Sequence, residues 1–171
     1  MLVNKNENAI PDYYYRHILD ITPDKIKNMG AEAVAVDLDN TAVHFGSFRL
    51  EDGMREWTEN MLSSGIKVYI VTNALLGRAF ILSRQMCSVG FTAISLKPST
   101  RGIETASRRL GVPVSKIAMI GDKLSSDVLA ANRAGAIAVK VEPLSKSSGK
   151  AAKYAAAAAA AAATVVTAVI K

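Results

Sequence analysis

Between residues 31 and 141 the chain alternates continuous apolar runs with amphipathic ones. The segments "AEAVAVDL" (31–38), "IKVYIVT" (66–72), "FTAISL" (91–96), "KIAMIG" (116–121) and "AIAVKV" (136–141) are short and mostly apolar, as expected of strands buried on both faces. The stretches between them repeat apolar positions at helical spacing. In "EDGMREWTENMLSSG", Met54, Trp57, Met61 and Leu62 share a face, Asp52 is the expected N-cap and Gly65 the stop. Helices are expected to end at Gly90 in "LLGRAFILSRQMCSVG", at Gly111 in "STRGIETASRRLG" and at Gly135 in "SSDVLAANRAG", glycine supplying the left-handed residue that follows a helix. Strands alternating with helices across crossovers this long predict an α/β fold, a five-stranded parallel sheet with helices on both faces. Three regions follow: residues 1–30 as a lead-in packed on the core, with a short helix after Thr22-Pro23; residues 31–145 as the core; and residues 146–171 as a basic, Ala-rich tail.

Composition narrows the class without naming a chemistry. Half of the 171 residues are hydrophobic and aromatics are few, which fits one globular domain and excludes a disordered or fibrous chain. The one cysteine, Cys87, rules out an internal disulfide or a cysteine zinc cluster and reads as a small buried hydrophobe on a helix. A reducing cytoplasm is the expected location, with no apolar leader in "MLVNKNENAIPD". The net charge of +6 favours phosphate-bearing or acidic-surface partners. The tail weakens that argument. Its nine alanines at 155–163 fit either a true Ala-rich helix or alanines standing in for other side chains. Residues 154–170 are uncharged, but alanine is too weakly apolar to make them a membrane span. Tyr13-Tyr14-Tyr15 reads as packing or interface, and nothing signals specific nucleic-acid binding.

The chemistry gathers where the predicted strands end, the side on which open α/β sheets bind ligands. Asp37 and Asp39 close the first strand, Thr72 and Asn73 the second, Lys97-Pro98 follows the third and Gly121-Asp122 closes the fourth. Like charges repel and each carboxylate is costly to desolvate, so this set calls for a compensating cation. Mg²⁺ suits it, taking oxygen ligands, keeping several waters and using one or two carboxylates plus a phosphate. Its charge would also keep Asp37 ionised and nucleophilic at neutral pH.

The ordered set "DLDNT", "VTN", "LKP" and "GDKLSSD" closely resembles the four motifs of the haloacid dehalogenase (HAD) superfamily of phosphotransferases, over residues 10–145. "GDKLSSDVLAANRAG", with "PDYYYRHILDI" ahead of the first strand, is similar to the YqeG-type phosphatases of subfamily IIIA; Ala42 departs from the pattern, a larger apolar residue commonly following the Thr. The resemblance implies a Rossmannoid core and a Mg²⁺-dependent phosphomonoesterase. Asp37 would attack phosphorus and form an aspartyl-phosphate. Asp39 would be general acid and then base. Thr72 and Asn73 would hold phosphoryl oxygens, and Lys97 would neutralise charge. Asp37 and Asp122 would ligate Mg²⁺ through side chains and Asp39 through its carbonyl, with Asp127 an outer partner or simply a helix N-terminal carboxylate.

Other residues receive lesser roles. His44 and His17 are expected to be non-catalytic. Arg78, Arg84, Arg101, Arg108 and Arg109 are expected on solvated helix faces, a few steering anions. The spacing from Thr41 to Thr72 and from Asn73 to Lys97 leaves no room for a cap domain. An uncapped site suits a bulky phosphate, macromolecular or lipid, with phosphatidylglycerophosphate the leading lipid and peripheral membrane contact implied. Competing readings are a receiver-like module, which takes phosphate on its third strand, a P-loop binder, which lacks its GxxxxGK[ST] here, an inactive module of the same fold, and a phosphatase of small metabolites.

Overall fold

The computed structural model describes residues 8–144. Its six strands are β1 (Tyr13–Tyr15), β2 (Ala33–Val36), β3 (Lys67–Val71), β4 (Gly90–Thr92), β5 (Ile117–Gly121) and β6 (Ile137–Val141). All pair in parallel, in the order β1-β6-β5-β2-β3-β4. The sheet thus has six strands rather than the expected five. The additional one is the tyrosine run, which lies along the edge with Tyr13, Tyr14 and Tyr15 level with Val139, Lys140 and Val141. Tyr14 Oη donates to Glu142 at 2.7 Å, and the cation of Lys25 sits 5.0 Å from the Tyr15 ring centroid.

The helices are α1 (Pro23–Asn28), α2 (Met54–Ser63), α3 (Leu76–Met86), α4 (Arg101–Leu110) and α5 (Leu129–Ala134), the last preceded by a π-helical turn over Leu124–Val128. Thr22 caps α1 with Pro23 in its first turn, as the sequence predicts. Asp52 does not cap α2. Its carboxylate pairs with Arg49 at 2.9 Å, and Gly53 takes the N-cap position at φ 89°. Helix α3 stops at Cys87, itself left-handed at φ 56°, so Gly90 belongs to β4 and the cysteine is a half-buried cap rather than a core helix residue.

Strand alternation splits the core in two. Val34 and Val36 face a layer with Met54, Trp57, Met61, Leu82 and Met86 from α2 and α3. Ala33 and Ala35 face Ile103, Ala106, Leu110, Ala130 and Ala131 from α4 and α5. The second face mixes alanines with larger side chains such as Tyr69, Ile117 and Met119. At Gly102 an added Cβ would meet Val71 Cγ1 at 2.5 Å and Ser95 Cβ at 2.8 Å. No helix of the described residues is long and apolar enough to cross a membrane. The tail at 146–171, expected to be helical, lies outside the described residues.

From β2 the chain steps to β3 and β4 on one side, then returns to β5 and β6 on the other. The β2/β5 boundary is therefore where strand order reverses, and the region beyond the carboxyl ends of these strands is where open α/β sheets bind ligands.

Candidate active site

Asp37 is the first residue past β2, and its N–H donates to Ile120 O at 3.0 Å, which keeps it level with the end of β5 and Asp122. Asp37, Asp122 and Asp127 each place a carboxylate oxygen within 4.8 Å of the others, and all are buried. Lys97 lies among them. Its ammonium donates to Asp37 Oδ1 at 2.6 Å and Val71 O at 2.9 Å and forms an ion pair with Asp127 Oδ1 at 2.7 Å. Burial works against that charge, but Asp127 and Asp37 outweigh it and hold the Lys97 pKa well above its ordinary value.

The carboxylates remain under-compensated. Burial, then the neighbouring Asp127, pushes Asp122 up to about 6. Burial also pushes Asp37 up; Lys97 opposes this, while Asp127 and Asp122 add to it. Asp122 Oδ1 is buried with no hydrogen-bond partner among the described residues. An unpaired buried carboxylate oxygen beside two others fits a hard cation, and the cluster has the donors to hold a divalent metal.

Asp127 is more central than an outer helix-end carboxylate. It is 1% exposed, pairs with Lys97, and accepts from Lys123 N–H at 3.0 Å through Oδ2. The π-helical turn brings it back against Gly121, where an added Cβ would lie 2.3 Å from Asp127 Cγ. Glycine is needed there because any side chain at 121 would occupy the space of the Asp127 carboxylate.

Thr72 is the first residue past β3, is 1% exposed, and caps its own turn by accepting from Ala74 N–H at 3.1 Å. Asn73 grips the neighbouring loop. Its Oδ1 accepts from Ser95 Oγ at 3.0 Å and Lys97 N–H at 2.9 Å, and its Nδ2 donates to Lys97 O at 3.3 Å. The side chain that carries Lys97 into the site is thus aimed by Asn73.

Asp39 stands apart from the Asp37–Asp122–Asp127 group. Arg78 of α3 clasps it through two bonds of 2.8 and 2.7 Å, and Gly46 N–H adds a third at 3.0 Å. Burial opposes ionisation of Asp39, yet these donors outweigh it and hold the carboxyl below its usual range. Arg78 also donates to Ser47 O at 3.0 Å, and its side chain is only 13% exposed. The expectation that it lies on a solvated helix face is therefore corrected. Its position in helix α3 gave no hint of a partner 39 positions back in the chain. His44, in the same loop, lies 3.2 Å from Glu51.

Comparison with known proteins shows the family. A family model described as HAD-hydrolase-like matches residues 96–169. The probable phosphatase YqeG of Bacillus subtilis (strain 168) is 33% identical over 140 residues, covering 82% of this chain and 81% of that protein. The chain belongs to the HAD superfamily, as a YqeG-like phosphatase. Solved structures share the fold at lower identity. A cobalt-bound deoxy-D-mannose-octulosonate 8-phosphate phosphatase from Haemophilus influenzae matches at TM-score 0.55 and 14% identity, over 67% of this chain and 70% of that one. A HAD family hydrolase from Deinococcus radiodurans R1, solved with phosphate and sodium, matches at 0.53 and 15%, over 63% and 79%.

Proposed function

We propose that this HAD phosphatase hydrolyses phosphomonoesters with Mg²⁺ through an aspartyl-phosphate on Asp37. The observation that carries the reading is the buried Asp37–Lys97–Asp127 group beside the unpartnered Asp122 oxygen. In the first step an Asp37 oxygen bonds to phosphorus as the ester P–O bond breaks, and Asp39, which must first take up a proton against the Arg78 and Gly46 donors that favour its ionised form, passes that proton to the departing alcohol. In the second, water attacks phosphorus, Asp39 takes its proton, and the Asp37–phosphorus bond breaks to release phosphate. Lys97 neutralises charge on Asp37 and the phosphoryl oxygens, and Thr72 with the Asn73 backbone region receives those oxygens. Asp37 and Asp122 would hold Mg²⁺ through side chains and Asp39 through its carbonyl, with Asp127 orienting the group. Bound there, the ion would offset carboxylate charge and stabilise the charge spread over the phosphoryl group.

Asp122→Ala is expected to raise the half-saturating Mg²⁺ concentration and lower turnover together, by about 10–100-fold, the cost typical of disturbing a metal's surroundings. Unchanged values in a Mg²⁺ titration would move the metal elsewhere.

Arg78 is a positioning residue in this scheme. It holds Asp39 at the mouth, and a displacement of about 1 Å in a catalytic group costs about 100-fold. Arg78→Ala is therefore expected to lower kcat by about 100-fold with a smaller change in KM. Arg78→Lys should recover only part, because an ammonium cannot reproduce the two-pronged contact. Equal recovery by lysine would reduce Arg78 to a point charge.

Residues 37–53 join β2 to α2, and residues 72–75 lead straight from β3 into α3. These short connections support reading the site as open, without an inserted cap. An open site cannot enclose a small substrate, so a bulky phosphate carried by a macromolecule or lipid is the better fit, phosphatidylglycerophosphate leading the lipids. The test is kcat/KM for phosphate release, with and without Mg²⁺, from sugar phosphates and nucleotides beside lipid and macromolecular phosphates. A small metabolite preferred by a hundredfold would overturn the substrate class and leave the aspartate chemistry standing.

A further inference from the structure

Lys140 is a lysine where the fold calls for a hydrophobic residue. It lies in β6, flanked by β1 and β5, and is only 8% exposed. Lysine is almost never buried to this degree unless its charge is compensated. Its ammonium donates to the carbonyl of the next residue, Val141, and sits 5.9 Å from the Tyr14 ring centroid. Neither contact neutralises it.

Strand register shows what the charge faces. On the side of the sheet packed by α4 and α5, Ala35, Met119 and Ala138 lie level on β2, β5 and β6. Two residues further along each strand, the next row on that side is Asp37, Gly121 and Lys140, with Tyr14 level on β1. An apolar row thus gives way to a charged one. Gly121 brings no side chain, and the space its Cβ would fill is held by the Asp127 carboxylate. Asp127 therefore stands over β5 between two lysines: Lys97, in contact at 2.7 Å and reaching across to Asp37, and Lys140, one strand over on β6. Tyr14 Oη donates to Glu142 at 2.7 Å, which fixes the ring on the outer side of Lys140.

The charges then fall short of balance by design of the row. Three buried carboxylates, Asp37, Asp122 and Asp127, face one directly paired ammonium, that of Lys97, which leaves two negative charges; Lys140 reduces this to one. Burial lowers the Lys140 pKa, while Asp122, Asp127 and Glu142 favour its charged form. Distance matters as much as sign. A lysine bonded to Asp122 would occupy the unpartnered Oδ1 that a metal needs, whereas one strand away it leaves that oxygen open and acts through its field. Lys123 also acts on Asp122, but it is exposed and screened by water and salt.

We propose that Lys140 is a positioning residue of this site, a buried cation whose field strengthens the hold on the phosphate and weakens the hold on the metal. One charge attracts the anion and repels the cation, so the two effects have opposite sign. The inference rests on the reading of these strand ends as the phosphatase site.

The test is calorimetric titration of the full chain, first with Mg²⁺ and then, at saturating Mg²⁺, with inorganic phosphate. Lys140→Met is expected to bind Mg²⁺ about tenfold more tightly and phosphate about threefold more weakly, the divalent ion beside Asp122 responding more. Lys140→Gln, which keeps a donor for Val141 O, should show the same crossed change, so the result does not depend on how one apolar side chain packs. Any other pattern would overturn the proposal: both ligands weakened together, as a loss of packing would produce, either affinity unchanged, or loss of the folded state in both variants. If the unsubstituted protein binds Mg²⁺ and phosphate and the variants lack the crossed change, the role of Lys140 alone is wrong. If the unsubstituted protein fails to bind either one, the reading of the site is wrong and this inference falls with it.

Discussion

Asp37→Asn is expected to abolish turnover, by about 10⁴-fold or more, while the protein stays folded. An amide has the shape of the carboxylate but not its nucleophilic oxygen, so the covalent step is lost without a cavity. Stability should be nearly kept for an electrostatic reason. The substitution removes a partner from Lys97 but also a negative charge crowded against Asp122 and Asp127, and the ammonium retains Asp127 and Val71 O. Phosphate release by rigorously purified variant, paired with thermal unfolding, is the measurement. More than trace activity would sink the nucleophile assignment; loss of the folded state would show that the Asp37–Lys97 pair is structural first.

Lys97→Met should damage both activity and stability. Methionine fills a similar volume, so packing is not the issue. What is lost is the one ammonium lying between Asp37 and Asp127, with side chains 9% and 1% exposed. Removing one partner of a buried ionic group costs about 3–5 kcal/mol, because the remaining charges stay desolvated and unpaired. Turnover should fall by about 100–1000-fold, the loss typical when a group that stabilises developing charge is removed. Urea unfolding in parallel with kinetics tests this. Adding Asp127→Asn to Lys97→Met should recover part of the stability and none of the activity, since it removes an orphaned charge without restoring the ammonium. A single variant destabilised by under about 1 kcal/mol would mean water compensates the carboxylates far better than this burial implies.

The strands and helices were legible because each carries its own periodicity. The five buried apolar runs reappear as β2 to β6, and Gly111 and Gly135 stop their helices in left-handed backbone as expected. The misses occur where a partner remote in sequence sets the outcome. Tyr13–Tyr15 is too short to announce a strand and becomes one by pairing with Val139–Val141. "FTAISL" reads as a strand to Leu96, but β4 ends at Thr92 because Asn73 and Ala74 draw the next residues into a turn. Asp52 has the chemistry of an N-cap and is taken by Arg49 instead.

The same division runs through the candidate site. Local order along the chain determined which polar residues stand at strand ends, because a parallel sheet brings the carboxyl ends of its strands to one edge. Tertiary structure alone decided how they meet. Asp127 joins Asp37 and Asp122 because a π-helical turn folds it back onto Gly121, and Arg78 reaches Asp39 because α3 packs beside the loop after β2. Periodicity records which face of an element is apolar, a short-range property of one segment. An ion pair or a row of charges across strands depends on which segments become neighbours once the sheet has formed, and no single segment carries that information.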